Sequence, residues 1–378
     1  MRLCYSCHGE VSSPCQEFEP VPAPARKPTL TLIARKCGVS KMTVSRVLRN
    51  EPNVSGATRE LVMRVAEKVG FQPSGCYHVN HNPSTQHYYV LFQREYSAKD
   101  AFFRGIIFSI QAALFERGWG CSFGVVKNDY AEFLKLNRIL RSQDVSGILV
   151  VGEIPTSYAN VLQTNFLNLV FIDYPGDPGI EQPYNAVCTD NVYGGHLAMN
   201  HLLKLGRKRV LLIGGRKGHY FSNDLLRAYE ETLREHSLGI DPRLITDADF
   251  HVTGGYEAAK RAREDGVTFD AIFSNDEMAC GAIKALKQAG IKVPTDVSVV
   301  GFDGLPIGEV VSPALTTIVV DREKMGRLAV KRLLALEQEM GTEERYEKVG
   351  LFPKLLIRES CGASIGMGVG TRTAPQVA

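Results

Sequence analysis

From Tyr88 onward, short apolar runs alternate with longer segments whose apolar positions recur every three or four residues. The runs predict buried β-strands, and the periodic segments predict amphipathic α-helices. The predicted strands are 88–92, 147–151, 169–172, 209–213, 271–274 and 297–302. The predicted helices are 102–117, 132–142, 194–205, 225–236, 254–264 and 277–289. This alternation predicts parallel sheets that are covered on both faces by helices.

The pattern between residues 29 and 73 predicts three short helices instead. Ile33 and Cys37 lie on one face of the first helix, and Gly38 permits the backbone conformation of a sharp helix end. Ser40 suits the N-cap of the second helix, and Ser55 that of the third, because a hydroxyl accepts a bond from a free amide. The apolar stripe of the third helix is Leu61, Val62, Val65, Ala66 and Val69. A helix-turn-helix is predicted, although any small three-helix bundle with a charged surface would look similar.

The outward face of the second predicted helix carries cations, hydroxyls and one thioether, which suits the major groove of DNA. Lys41 is the candidate for contact with guanine acceptors, and Met42 for contact with a thymine methyl group. Thr43, Ser45, Arg46 and Asn50 would mainly contact phosphates, and Ser40 and Arg49 complete the candidate DNA-binding surface.

These residues resemble the headpiece of the LacI/GalR family of transcriptional regulators. The shared positions are Ala34, Gly38-Val39-Ser40, Thr43-Val44-Ser45-Arg46-Val47-Leu48, Val54-Ser55 and Thr58-Arg59. The remaining chain resembles the periplasmic-binding-protein fold at Asp190-Asn191, Ser274-Asn275-Asp276 and the run from Val297 to Asp303. The resemblance covers about residues 29–360.

The resemblance implies a small all-α helix-turn-helix domain followed by an α/β periplasmic-binding-protein-like domain of two lobes with parallel sheets. The headpiece would span 29–74, a hinge 75–87 and the effector-binding domain 88–361. Its first lobe would contain about 88–187 and 319–347, and its second about 188–318 and 348–361. Residues 1–28 are expected to be a flexible extension, and 362–378 a flexible tail.

The expected hinge departs from the family pattern. In the resembled family this connector forms a short helix on DNA, and its leucine enters the minor groove. Asn80 stands at that position here, while Gly75 and Pro83 oppose a helix. Tyr77 or Val79 would have to replace the leucine. The departure leaves open an alternative, a small-molecule-binding protein whose DNA-binding function has degenerated.

Polar residues at the ends of predicted strands indicate an effector site between the lobes. Asp173, Asn275 and Asp303 each follow or end such a strand, and carboxylates and amides suit the hydroxyls of a sugar. By resemblance, Asn275 and Asp303 match effector-contacting positions. Phe102, Phe103 and Phe250 are candidates for stacking on the ligand, with core packing as the alternative.

One family arginine that would bind an anionic effector is missing. Its position carries Leu225, and Arg227 lies two places further along the helix. A neutral ligand is therefore favoured, and His219 is a candidate replacement for the cation.

Charge and composition support a regulator rather than an enzyme. Residues 26–70 contain ten Lys or Arg and three Asp or Glu, whereas the whole chain has a net charge of only +3. A basic headpiece suits a polyanion such as DNA. No catalytic or dinucleotide-binding motif was found, so no enzyme activity and no cofactor are expected.

The cysteines and apolar runs bear on location. The nine cysteines are mostly isolated, and Cys4, Cys7, His8 and Cys15 lack the second ligand pair of a closed zinc site, so no metal is expected. No run of about 18 apolar residues predicts a membrane span. The prediction is a cytoplasmic, homodimeric repressor that binds a double-stranded DNA operator and a small neutral effector such as a sugar.

Overall fold

The computed structural model describes residues 30–48, 55–68, 86–93, 101–143, 145–174, 179–339 and 345–363. The chain divides into two compact units, Met1–Asn80 and His81–Ala378. The described residues of the first unit, the headpiece, form three helices: α1 (Leu30–Cys37), α2 (Lys41–Leu48) and α3 (Gly56–Lys68).

The headpiece has a small apolar core formed from all three helices. Ile33 of α1, Val44 of α2 and Val62 of α3 are completely buried in it. Gly38 has a φ of +65°, and the amide of Thr43 donates to the Ser40 hydroxyl at 3.0 Å, as the helix-end signals predicted. Leu61 is an exception: it was predicted to lie in the buried stripe of α3, but it is 41% exposed.

The described residues of the second unit form two six-stranded sheets. The first sheet has β1 (His87–Gln93), β2 (Gly120–Val126), β3 (Gly147–Val151), β4 (Leu169–Ile172), β5 (Asn185–Thr189) and β11 (Lys348–Leu351). The second has β6 (Val210–Ile213), β7 (Ile245–Thr246), β8 (Ala271–Ser274), β9 (Ser298–Asp303), β10 (Thr316–Val319) and β12 (Lys354–Leu356). All pairings are parallel except β10 with β12.

Helices cover both sheets, so each sheet with its helices forms a lobe. The first lobe has α4 (Ala101–Phe115), α5 (Tyr130–Ser142), α6 (Thr156–Asn165) and α12 (Arg322–Gln338). The second has α7 (Asn191–Lys204), α8 (Tyr220–Glu235), α9 (Val252–Glu264), α10 (Asp276–Gln288) and α11 (Ile307–Val310). The predicted fold class is therefore confirmed.

The two lobes share one strand order. Five strands of the first sheet run β2-β1-β3-β4-β5, and five of the second run β7-β6-β8-β9-β10. In each sheet the order reverses beside the strand that comes first in the chain. Ligands bind outside the carboxyl ends of the strands at such a reversal. A ligand site is therefore expected at the carboxyl edges of the two sheets.

The predicted boundary between the lobes needs a correction. Residues 188–189 and 348–351 were assigned to the second lobe, but they belong to the first sheet. The reason is the parallel pairing of β11 with β5, from Lys348 opposite Ala186 to Leu351 opposite Thr189. The chain consequently changes lobes between β5 and α7, between β10 and α12, and between β11 and β12.

Three cysteines are buried in the second unit: Cys188, Cys280 and Cys361. Burial raises the pKa of the thiols of Cys188 in β5 and Cys280 in α10 to about 12. Both are free thiols. Their environment is that of small apolar core residues.

The contact between α9 and α10 depends on glycine. A Cβ atom on Gly281 would lie 2.0 Å from the carbonyl oxygen of Val252, and one on Gly255 would lie 2.1 Å from that of Met278. Neither obstacle is a flexible side chain, because both are backbone atoms. The helices can approach this closely only where the side chains are absent.

We expect Gly281→Ala to lower the free energy of unfolding by roughly 1–3 kcal/mol, because the helices must separate to admit the methyl group. Urea denaturation followed by circular dichroism measures the change. Gly239→Ala is the matched control, since a Cβ there meets nothing within 4 Å. Equal destabilisation by the two substitutions would contradict the close approach of α9 and α10.

Candidate functional site: an interlobe cleft and an exposed basic helix

The carboxyl edges of the two sheets border one cleft, with an empty volume of about 590 Å³ counted to its open edge. All seven predicted effector residues line it: Phe102, Phe103, Asp173, His219, Phe250, Asn275 and Asp303. The structure thus brings together residues that lie up to about 200 positions apart in the chain.

Backbone conformation turns three of these side chains towards the cleft. Asp173, Phe250 and Asp303 have φ values of 55°, 71° and 116°. In the described part of the chain, only one other non-glycine residue, Ser237, has a positive φ. Such conformations are unfavourable for residues with a Cβ atom and concentrate at functional sites.

Asn275 is fixed in place by hydrogen bonds at both ends of its amide. Its Oδ1 accepts from the amide of Met278 at 2.9 Å and so caps α10. Its Nδ2 donates to the carbonyl oxygen of Phe250 at 3.2 Å. The side chain is therefore held rigidly in the cleft wall, and it links α10 to the segment before α9.

Aromatic rings form much of the remaining wall. Phe102 and Phe103 meet edge to face with their centroids 5.2 Å apart. Phe221 contacts Phe302 at 5.1 Å and Phe250 at 6.0 Å. The wall therefore combines apolar faces with carboxylates and an amide, which is the mixture that a polyhydroxylated ring requires.

Seven further lining residues were missed from the sequence: Asn191, Tyr220, Phe221, Glu277, Phe302, Leu305 and Val320. Adjacency was the available signal for several of them. Tyr220 and Phe221 directly follow His219, and Phe302 precedes Asp303. Asn191 was part of a motif that was recognised but was not assigned to the cleft.

Polar contacts between side chains join the lobes at the cleft. The hydroxyl of Tyr220 at the start of α8 donates to Asp173 Oδ2 at 2.5 Å. His219 Nε2 lies 3.3 Å from Glu153 Oε2. In both contacts the first residue belongs to the second lobe and its partner to the first. These contacts hold the lobes together in the described conformation.

His219 is held in its neutral form. The amide of Phe221 donates to Nδ1, so the proton of the neutral ring is on Nε2, which faces Glu153. Burial, with a smaller contribution from Arg216, lowers the pKa of His219 to about 4. Glu153 would favour the charged ring, but its side chain is 40% exposed, and burial dominates. His219 therefore does not supply a cation at neutral pH.

The missing family arginine is not replaced from α8. Leu225 is completely buried, and Arg227 is exposed and donates to Glu231 at 2.8 Å. Three carboxylates, those of Asp173, Glu277 and Asp303, line the cleft instead. They disfavour an anionic ligand.

In the headpiece, Ser40, Lys41, Met42 and Arg46 are exposed, and Thr43 is half-buried beside the Ser40 cap. Met42 is 63% exposed. The backbone of Ser45 lies in α2. The other predicted DNA contacts, Arg49, Asn50, Tyr77 and Val79, lie outside the described residues, as do Cys4, Cys7 and Cys15.

In the described ranges, no group of three or more His, Cys, Asp and Glu side chains is arranged to hold a metal ion. None of the helices there combines the length and the apolar character needed to cross a bilayer.

The arrangement is that of a two-lobed small-molecule receptor joined to a DNA-binding headpiece. Comparison with known families agrees: a model of bacterial regulatory proteins of the lacI family matches residues 29–74, and a periplasmic-binding-protein-like domain matches 199–361. The two matches together cover more than half of the chain. In both of these parts the chain is similar to the LacI family of transcriptional regulators.

Curated relatives match over nearly their whole length. The transcriptional repressor MelR of Bacillus subtilis is 28% identical over 88% of this chain and 97% of its own. The regulator CelR of Thermobifida fusca is 29% identical over 89% of this chain and 98% of its own. Both are transcriptional regulators, as is this protein.

Solved structures show the same architecture. A CelR–cellobiose complex has a TM-score of 0.65 and 27% identity, covering 88% of this chain and all of that one. The lac repressor dimer bound to operator is similar in fold, with a TM-score of 0.65, 24% identity and coverage of 89% and 100%.

The neutral state of His219 predicts a pH dependence. A histidine in an unfolded chain titrates near pH 6.5. The unfolded state therefore binds more protons than the fold between about pH 4 and 6.5. The contribution of the neutral His219 ring to the free energy of unfolding is complete above pH 6.5. It is lost as the pH falls through that window, by up to roughly 3 kcal/mol.

Urea denaturation between pH 4.5 and 7.5 measures this effect. We expect His219→Gln to flatten the dependence of unfolding free energy on pH. His236→Gln, at an exposed position, should leave the dependence as in the unsubstituted protein. Identical slopes for all three proteins would refute a buried neutral His219.

Proposed function

We propose that this regulator is a dimeric repressor whose affinity for its operator is set by a neutral sugar in the interlobe cleft. The observation that carries the proposal is the convergence of Asp173, Asn275 and Asp303 with aromatic rings in one cleft. Carboxylates accept hydrogen bonds from several hydroxyls, while rings pack on the apolar face of a pyranose. The cellobiose complex of CelR supports the same ligand class.

The proposed coupling follows from the two-lobed form. A sugar held by residues of both lobes stabilises the closed arrangement relative to an open one. It shifts DNA affinity only if the two arrangements differ in their affinity for the operator. Repression, rather than activation, is proposed from the curated repressors among the relatives.

The proposed DNA contacts lie on α2. Lys41 would donate to guanine, Met42 would pack on a thymine methyl, and the hydroxyls with Arg46 would contact phosphates. The exposure of Lys41, Met42 and Arg46 supports this assignment. Ser40 is proposed to act mainly through the cap that fixes the start of α2.

A homodimer is proposed from an apolar surface on the first lobe. Phe108 and Phe115 of α4 are 60% and 79% exposed and lie two helical turns apart, on the same side. Phe123 and Val125 on one face of the edge strand β2 are each 45% exposed. Exposed apolar groups of this kind mark protein interfaces. A two-fold dimer would present two headpieces to a near-palindromic site.

Selection of bound fragments from random DNA tests the function. The purified protein should enrich one near-palindromic sequence. Its affinity for that sequence should change when a neutral sugar from a panel of glucose, lactose and cellobiose is added. Glucose 6-phosphate is the matched anionic control and should have no effect. Failure to enrich any sequence would favour the alternative of a sugar-binding protein with degenerate DNA binding. Enrichment without a sugar response would reject the ligand class.

For base readout, we expect Lys41→Ala to weaken binding by on the order of 1–3 kcal/mol at one base position, because a bidentate contact is lost there. Titration of operators with single base changes measures it. Lys68→Ala removes another exposed headpiece lysine, on α3, and should leave the base preference intact. A uniform loss over all sequences in Lys41→Ala would reassign Lys41 to phosphate.

For the dimer, the double substitution Phe108→Ser, Phe115→Ser should yield monomers, because it removes the two largest exposed apolar groups of α4. Sedimentation velocity at micromolar concentration measures the change. Phe352→Ser, at a residue 70% exposed and outside α4 and β2, is the matched control and should remain dimeric. A dimer that persists in the double variant would place the interface elsewhere.

A further inference from the structure

We infer that Arg322 is a positioning residue for the effector: from the first lobe, its guanidinium holds the backbone of Asp303 in the second, so that the Asp303 carboxylate faces the cleft. The inference rests on the effector role of Asp303 proposed above. Arg322 is the first residue of α12, directly after the chain crosses from β10 into the first lobe.

The guanidinium of Arg322 makes a forked contact, in which two N–H donors of one side chain bond two neighbouring carbonyl oxygens. Arg322 Nη1 donates to the carbonyl oxygen of Asp303 at 2.6 Å, and Nη2 donates to that of Gly304 at 3.1 Å. Only a planar guanidinium presents two donors at this spacing. A lysine has a single nitrogen on a flexible stem and lacks this rigid pair of donors.

The segment held by the fork has an unusual backbone. Asp303 and Gly304 have successive φ values of 116° and 68°. The amide of Gly304 points to the Thr317 hydroxyl at 3.4 Å, and that of Leu305 donates to Asp276 Oδ2 at 2.5 Å. The carbonyl side of the segment is held by Arg322, with Val320 as a weaker donor at 3.3 Å to Asp303. Without the fork, the unfavourable conformation of Asp303 would lose its strongest backbone restraint.

The other end of Arg322 is fixed against α4. Its carbonyl oxygen accepts from the Ser109 hydroxyl at 3.3 Å. Its side chain passes over Gly105, where a Cβ atom would lie 3.1 Å from Nε. Its guanidinium lies 6.0 Å from the centre of the Phe102 ring. Arg322 therefore fixes a carboxylate and an aromatic ring of the same cleft relative to each other.

This geometry gives Arg322 a role in affinity although it does not itself line the cleft. A sugar gains full hydrogen bonding only when the carboxylate and the ring are in place before it binds. Removing the fork leaves both groups present but lets Asp303 adopt other conformations. The expected result is weaker sugar binding with an intact fold.

The first experiment needs no ligand. Hydrogen exchange of the peptide covering residues 301–305 should become at least tenfold faster in Arg322→Gln, with Arg322→Lys intermediate. Arg327→Gln is the matched control: it removes an arginine from the same helix, one that pairs at the surface with Glu116 and Glu323. Unchanged exchange in Arg322→Gln would overturn the inference.

The second experiment measures sugar binding by calorimetry with glucose, lactose and cellobiose. For the sugar that binds, Arg322→Gln should raise Kd at least tenfold and Arg327→Gln should not change it. The affinity of the sugar-free protein for DNA should remain unchanged in Arg327→Gln. Faster exchange with an unchanged Kd would reduce Arg322 to a structural role and overturn the inference.

A double substitution separates this inference from the proposed function. If Arg322 acts through Asp303, then Arg322→Gln should raise Kd less than twofold further once Asp303→Asn is present. If Arg322→Gln raises Kd as much in the Asp303→Asn background as it does in the unsubstituted protein, Arg322 acts by another route. An unchanged Kd in Asp303→Asn alone would refute the effector role of Asp303, whereas the exchange result would still stand.

Discussion

The carboxyl ends of parallel strands meet at one edge of a sheet, and the whole receptor depends on that constraint. Asp173 follows β4, while Asn275 follows β8 and Asp303 ends β9. The two sheets repeat one strand order, so each offers the same edge to the cleft. Residues that are far apart in the sequence can therefore meet at the same cleft. What remains for the individual residues is to turn their side chains inward, and positive φ values achieve this at Asp173 and Asp303.

Much of the fold could be predicted because its central strands are apolar on both faces. The strands β3, β4 and β8 were predicted with their observed bounds. The strands that were not predicted include four at the sheet edges, β2, β7, β11 and β12, and two inside the sheets, β5 and β10. The edge strand β2 has a mixed burial pattern, and β11 alternates exposed and half-buried residues, so neither gives a continuous apolar run. The lobe assignment of β11 depends on its partner β5, about 160 residues earlier, which no local pattern encodes.

The site was predictable to a similar extent and for a related reason. Strand ends identified Asp173, Asn275 and Asp303, and resemblance supplied the aromatic candidates. Tyr220 was missed because its role requires a partner from the other lobe, Asp173, and only the folded chain defines that contact. Arg322 was missed because it acts on main-chain carbonyls, which have no signature in a sequence.

The deep burial of Cys188 and Cys280 has a consequence for stress chemistry. Thiolate, not thiol, attacks peroxides and alkylating agents. With a pKa of about 12, roughly one sulfur in 100,000 is ionised at neutral pH. Oxidants in the cell would therefore leave these two positions untouched. These two sulfurs therefore do not provide the protein with a redox-reactive group.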